Sequence, residues 1–256
     1  MIKRSTLRHE VRRLAYGGTV TLAAAPAGSI TMEGWSRNEV DVSAEIELQA
    51  PSAADLDRLL VVNNFAVDED ANHIRILTTG SHDKVFMKQV AKNFPKSLLG
   101  LPWKIDYHIK VPSLTDLEID AGSGPIRLSG VEGAIRLNAL SSVADLTLTG
   151  GSMSATVQTG AMTVTIPARS WHGLGADIKL ASGNLVVDLL PGFNADIDAQ
   201  VMRAGEIKIS YPNLEPLERT RITLQSVHAR AGSGGATLRF TVGDGTIEIR
   251  PASTKQ

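Results

Sequence analysis

Short units of the form apolar–polar–apolar recur through the second half of this chain at a nearly constant interval, and no other feature constrains its fold as tightly. The units starting at Ile126, Ile135, Leu146, Ala155, Val164, Ile178 and Leu185 follow one another at 9, 11, 9, 9, 14 and 7 residues. Leu117–Ile119 precedes them, and Ile207–Ile209, Leu238–Phe240 and Ile247–Ile249 come later. Alternation of period two marks a strand with one buried face. A unit this short buries two side chains, too few to offset ~1–2 kcal/mol of backbone ordering per residue. Neighbours must extend both its sheet and its core, which is the stacking logic of repeat proteins.

Glycine clusters separate the units: Gly122-Ser123-Gly124, Gly130, Gly133, Gly150-Gly151, Gly160, Gly183-Asn184, Gly205 and Gly243-Asp244-Gly245. Two architectures produce such a text, an antiparallel meander of hairpins and a parallel β-solenoid that turns similar corners at every level. Two-residue hairpin loops favour Asn-Gly or Asp-Gly, and only Asp244-Gly245 has that form. The expected fold is therefore all-β, a parallel β-solenoid (β-helix) of short strands.

The first half is β-rich as well. Thr19–Leu22, Ile30–Met32 and Glu39–Leu48 alternate, with turns at Ala27–Ser29 and Gly34–Asn38. One short helix is expected near residues 52–62, where Ser52 is a plausible N-cap and Leu56, Leu59 and Leu60 share a face. Strands resume at Phe65–Asp68 and His73–Leu77, Asn93–Trp103 reads as an irregular loop, and Lys104–Val111 alternates up to Pro112. The chain divides into an N-terminal extension (1–16), a β-rich part with the helix (17–112), the solenoid repeats (113–250) and a tail (251–256). Within the extension, Leu7, Val11 and Leu14 fit helical spacing while Val11, Arg13 and Ala15 fit alternation.

Composition removes several classes. The sequence holds 26 Lys and Arg against 27 Asp and Glu, so no basic surface drives nucleic-acid binding. It has no cysteine, which rules out disulfides, thiolate metal sites and thiol nucleophiles. Aromatics are 4% of the chain, so the core is filled by Ile, Leu, Val and Ala. No apolar run reaches the ~18 residues of a transmembrane helix. Basic residues before Leu14–Ala25 mimic a secretory signal, but Gly17, Gly18, Thr19 and Thr21 interrupt the apolar segment. The expected location is cytoplasmic by default, with the cell envelope as the alternative.

Gly17-Gly18-Thr19-Val20, the stretch Gly28-Ser29-Ile30-Thr31-Met32-Glu33-Gly34-Trp35-Ser36-Arg37-Asn38-Glu39-Val40, and Ser123–Gly133 together resemble the bacterial putative-adhesin (YvlB-like) domain family of unknown function. Val111-Pro112 and Leu117–Asp120 fit the same style, and the likeness runs over roughly residues 17–250. It implies a β-helical protein associated with the cell envelope, in some cases with envelope-stress systems. It brings no catalytic residues with it.

Candidate sites are few. Ala121–Gly124 and Ala231–Gly235 are glycine-rich, yet neither continues into Gly-Lys-Ser/Thr or a long helix, so they read as turns. The six histidines show no metal-binding spacing, and no Gly-x-Ser-x-Gly elbow occurs. Asp196-Ile197-Asp198 places two carboxylates on one strand face, with Asp188 one level away; such a trio suits calcium or acid–base chemistry. Trp171-His172 interrupts the repeat at its longest step, where insertions often form a binding face. The sequence thus predicts a non-enzymatic adhesin-like or scaffold protein without cofactors. Its partner is an unknown protein or a cell-envelope component rather than nucleic acid, and the solenoid ends offer a route to homo-oligomers. The alternative is a polysaccharide-active enzyme using Asp188, Asp196 and Asp198.

Overall fold

The computed structural model describes residues 1–90, 93–217 and 221–252; positions 253–256 of the tail lie outside the described residues. In chain order the elements are β1 (Ile2–Arg13), β2 (Thr19–Ala23), β3 (Ile30–Trp35), β4 (Glu39–Ala50), α1 (Ala53–Val62), β5 (Asn64–Asp70) and β6 (His73–Thr79). Then come α2 (Lys84–Val90), a 3₁₀ turn at Lys96–Leu98, β7 (Trp103–Pro112), β8 (Asp116–Ser123), β9 (Ile126–Ser129), β10 (Ala134–Thr147), β11 (Gly150–Ile166) and β12 (His172–Leu189). The chain ends in β13 (Ala195–Val201), β14 (Gly205–Ile209), β15 (Leu214–Pro216), β16 (Ser226–Ala231) and β17 (Thr237–Pro251). The 17 strands form one mixed sheet, and the fold is all-β.

The central strands pair in parallel. Ile119 of β8 faces Leu137 of β10, and Leu137 faces Ala155 of β11, each 18 residues further along. Ile126 of β9 meets Ala144 of β10 with the same offset. Between β11 and β12 the offset begins at 22 and becomes 23 past a register shift at Gly151/Ser152. Chain order and spatial order then part. β17 lies between β12 and the β13–β14 pair, while β2 and β3 pair in parallel with β8 and β9.

Inward parity flips within each long strand. In β10 the buried residues are Ile135, Leu137 and Ala139, then Ser142, Ala144 and Leu146; Leu140 and Val143 are exposed. In β11, Met153, Ala155 and Val157 give way to Met162, Val164 and Ile166. The same change separates Ile178 and Leu180 from Leu185 and Val187 in β12. Each long strand therefore supplies two buried patches. Fully burying one Val, Leu or Ile is worth roughly 1.5–3 kcal/mol, and in-register neighbours merge the patches into one continuous core.

The flip occurs at a column of glycines. Gly28, Gly124, Gly160, Gly183, Gly245 and Gly205 have φ of 136°, 143°, 134°, 138°, 139° and 129°. A Cβ on Gly183 would lie 1.8 Å from the Gly160 carbonyl oxygen, and one on Gly245 would lie 1.8 Å from that of Gly183. Only glycine combines that backbone angle with such close approach.

Both ends of the sheet are antiparallel. At one, β4 pairs with β7 and β1 pairs with β4 along its whole length, from Ile2↔Ala50 to Arg13↔Glu39. The residues read as an N-terminal extension are therefore a strand of the same sheet. Helix α1 covers this end with Leu56, Leu59 and Val62, and Ser52 Oγ accepts from Asp55 N at its start. A second helix, α2, lies in a stretch where polarity alone gave no helical signal. At the other end β13 pairs antiparallel with β16, and β16 with β15.

Candidate functional site

Outward positions line up across the strands because the parallel registers hold over long stretches. The resulting rows alternate in charge: Arg136 with Glu118 at 3.6 Å, Arg127 with Asp145 at 3.7 Å, and Arg239 with Asp198 at 3.2 Å. Opposite charges on neighbouring strands add a few tenths of a kcal/mol to about 1 kcal/mol each.

The expected carboxylate trio does not converge. Asp196 and Asp198 share the outward face of β13, on either side of buried Ile197. Asp196 accepts from Arg230 Nε at 2.9 Å and Asp198 from Arg239 Nε at 3.2 Å. Asp188 sits on the second half of β12, in register with Arg250 and Thr165, and accepts from Arg250 Nε at 2.6 Å. That strand stretch is not hydrogen-bonded to β13. The two halves of β12 carry separate rows, a separation invisible to sequence spacing.

The step of 14 residues combines a longer connection, which raises the offset from 18 to 22 at Gly150↔His172, with a one-residue bulge. Across the register shift Gly151 faces Gly173 while Ser152 faces Gly175, so Leu174 is the extra residue and is 87% exposed. Trp171 turns inward, 6% exposed, and its Nε1 donates to the Gly151 carbonyl at 3.1 Å. His172 stays exposed. Beside the bulge Asp177 Oδ1 is buried without a hydrogen-bond partner, while Oδ2 accepts from Lys179 Nζ at 2.7 Å.

One arrangement has the residue types of an activated nucleophile. Thr21 Oγ1 lies 2.8 Å from His73 Nε2 and 3.4 Å from Glu118 Oε2, and His73 Nδ1 lies 3.2 Å from Arg75 NH1. A guanidinium only donates, so Nδ1 is the acceptor and the proton of a neutral ring sits on Nε2. His73 then donates to Thr21, which donates onward to Glu118. A nucleophile needs the opposite polarity, with its hydroxyl proton aimed at the base. Among the described residues no group of three or more His, Asp or Glu side chains is placed to hold a metal ion.

A groove of about 590 Å³ lies beside the segment that leads into α2. His82 forms one wall, and its ring packs on Trp103 with centroids 5.3 Å apart and planes tilted by 37°. Partial burial pushes the His82 pKa below the usual value, against the pull of Asp83 in the other direction. Asp120, Asn138 and Thr156 form the floor in one in-register row, with Asn138 Nδ2 donating to Asp120 Oδ1 at 2.8 Å. Ala24, Pro26, Ala121 and Leu140 add apolar surface. Sequence reading missed this groove because its residues come from five distant segments.

No helix among the described residues is long and apolar enough to cross a membrane. No family model matches the chain, and no curated protein matches it. Solved structures do. A putative cell adhesion protein from Clostridium sporogenes is 12% identical with a TM-score of 0.50, the alignment covering 96% of this chain and 100% of that one. A putative adhesin from Bacteroides fragilis is 13% identical over 95% of this chain and 97% of that one, with a TM-score of 0.37. The first likeness is one of fold, and it extends over essentially the whole chain.

Proposed function

We propose that this chain is a non-enzymatic, adhesin-like scaffold whose strands stack as a β-solenoid and present a ruled polar face to a partner at the cell envelope. The observation that carries the reading is the filling of outward rows by paired charges: Asp188 with Arg250, Asp196 with Arg230, Asp198 with Arg239. An acid–base pair needs one carboxylate free to give up a proton and another to take it. Here each of the three already accepts a hydrogen bond from a guanidinium on an adjacent strand. Rows of neutralised charge at constant spacing suit recognition by an extended partner better than they suit turnover. The 18-residue parallel offset and the flip at the glycine column support the solenoid. The Clostridium sporogenes protein, by its description, adds a cell-adhesion context to the same fold.

The test is co-sedimentation of the purified chain with bacterial envelope fractions, together with an assay for soluble product from the polysaccharides they contain. Saturable retention with no product is the expected result. Product released in proportion to protein, and lost in Asp196→Asn, would replace the scaffold with an enzyme.

A further inference from the structure

We propose that the groove between His82 and the Asp120–Asn138–Thr156 row binds a neutral, extended saccharide. This rests on the scaffold reading and names the chemistry of its partner.

Three observations converge. The first is size: about 590 Å³ falls within the range of roughly 300–1,000 Å³ typical of small-molecule sites. The second is charge. Among the described residues that line the groove, Asp120 is the sole acidic one, its Oδ1 already accepts from Asn138, and none is Lys or Arg. A phosphate or other anion therefore finds no cation there, and a cation finds only a half-occupied carboxylate. Hydroxyl groups, which both donate and accept, match what remains: Asp120 Oδ2, Asn138 Oδ1, the Thr156 hydroxyl and the Gln158 amide.

The third is spacing. Asp120, Asn138 and Thr156 stand on β8, β10 and β11 in direct register, so their Cα atoms repeat at the strand separation of about 4.8 Å. That is close to the length of one sugar unit in an extended chain, so successive units can meet the same kind of side chain. The exposed His82 ring, held from behind by Trp103, offers a flat face against the C–H surface of a pyranose. Leu140, 55% exposed, extends that apolar contact.

The experiment is calorimetric titration of the full chain with neutral glucan and xylan oligosaccharides of a few units. Polygalacturonate and an extended uncharged peptide serve as competing probes, and reducing-end release is followed in parallel. A neutral oligosaccharide should bind, and Asn138→Ala and His82→Ala should each weaken it about tenfold or more. Arg250→Ala, remote on another row, should not, and His82→Phe should restore most of the affinity. The groove assignment is overturned if none of the neutral sugars binds, if both groove variants bind like the parent, or if the anionic polymer or the peptide binds in their place. Retention on envelope fractions in that case would leave the scaffold reading standing. Reducing-end release with groove-dependent binding would do the reverse, sinking the non-enzymatic reading and keeping the site.

Discussion

Ser142 stands in register with Gly160, and its Oγ donates to the carbonyl oxygen of Gly124 at 2.8 Å. It interrupts the column of glycines where inward parity flips. Asn213 alone among the described non-glycine residues has a positive φ, so Ser142 keeps an ordinary backbone. Its hydroxyl bonds the Gly124 carbonyl on one side, while Gly160 packs directly on its own carbonyl oxygen from the other. Two substitutions separate these roles. Ser142→Ala loses one hydrogen bond and should cost about 1 kcal/mol. Gly183→Ala combines a disfavoured φ with a Cβ 1.8 Å from backbone oxygen and should cost about 3 kcal/mol or prevent folding. Urea denaturation midpoints compare them, and equal costs would contradict the column as a close-packed device.

Trp171 and His172 are adjacent in sequence and opposite in environment. Trp171→Phe removes the Nε1 bond to Gly151 and leaves space in the core beneath the bulge. It should destabilise by about 2 kcal/mol. His172→Ala, at an exposed position, should stay within about 0.5 kcal/mol of the parent. Thermal melts of both variants are sufficient to check this.

Acid should loosen the β1–β4–β7 end. The bond from Lys3 holds the Glu47 carboxyl below its ordinary 4.5 despite some burial. Burial pushes Asp106 up, yet bonds from Lys104 Nζ and from Ser29 N and Oγ outweigh it and hold Asp106 below 3.8. Folded values below unfolded ones mean that the unfolded chain binds more protons in this window. The stabilisation is therefore present above about pH 4.5 and is lost as pH falls through the lowered folded values. Melting temperature followed from about pH 5 to pH 2 should drop, and Asp106→Asn should flatten the decline. A profile that Asp106→Asn leaves unchanged would remove Asp106 from the account.

Arg8 fastens the outermost strand to the strand across the end of the core. Its guanidinium donates to Asn64 Oδ1 at 2.5 Å and to the Phe65 carbonyl at 2.8 Å, and lies 4.4 Å from the Phe65 ring centroid. A lysine has no planar fork to make these contacts together. Arg8→Lys should cost about 1–2 kcal/mol, concentrated at the edge. Hydrogen exchange should show faster amides in β1 and unchanged protection in β11.

The capping of α1 gives a fifth local check. Ser52→Ala removes the acceptor for Asp55 N and should cost about 1 kcal/mol. The loss should appear in urea midpoints without a change of slope, since the same surface is exposed on unfolding.

Much of this architecture is written locally. Alternation marks the strands, because a half-buried strand must place apolar groups at every second residue; Leu137, Val164 and Ile178 are buried where that pattern puts them. Ser52 and the leucines that follow it mark α1 for the same kind of reason, one cap and one apolar face. Helix α2 is less legible, since a seven-residue helix carries too little periodicity to stand out from a polar stretch.

What the sequence by itself determined is the all-β class, the polar outward rows and the aliphatic interior, since each follows from side-chain period and composition. Tertiary structure decided which strands meet. β17 inserts between β12 and the β13–β14 pair across an offset of 62 residues from β12, and β2 finds β8 from 97 residues away. Such pairings depend on core complementarity and loop paths that no local pattern encodes. The same holds for the sites: Asp188 and Asp198 lie near each other along the chain yet answer to Arg250 and Arg239 on different rows, while Asp120, Asn138 and His82 become neighbours only in the folded chain.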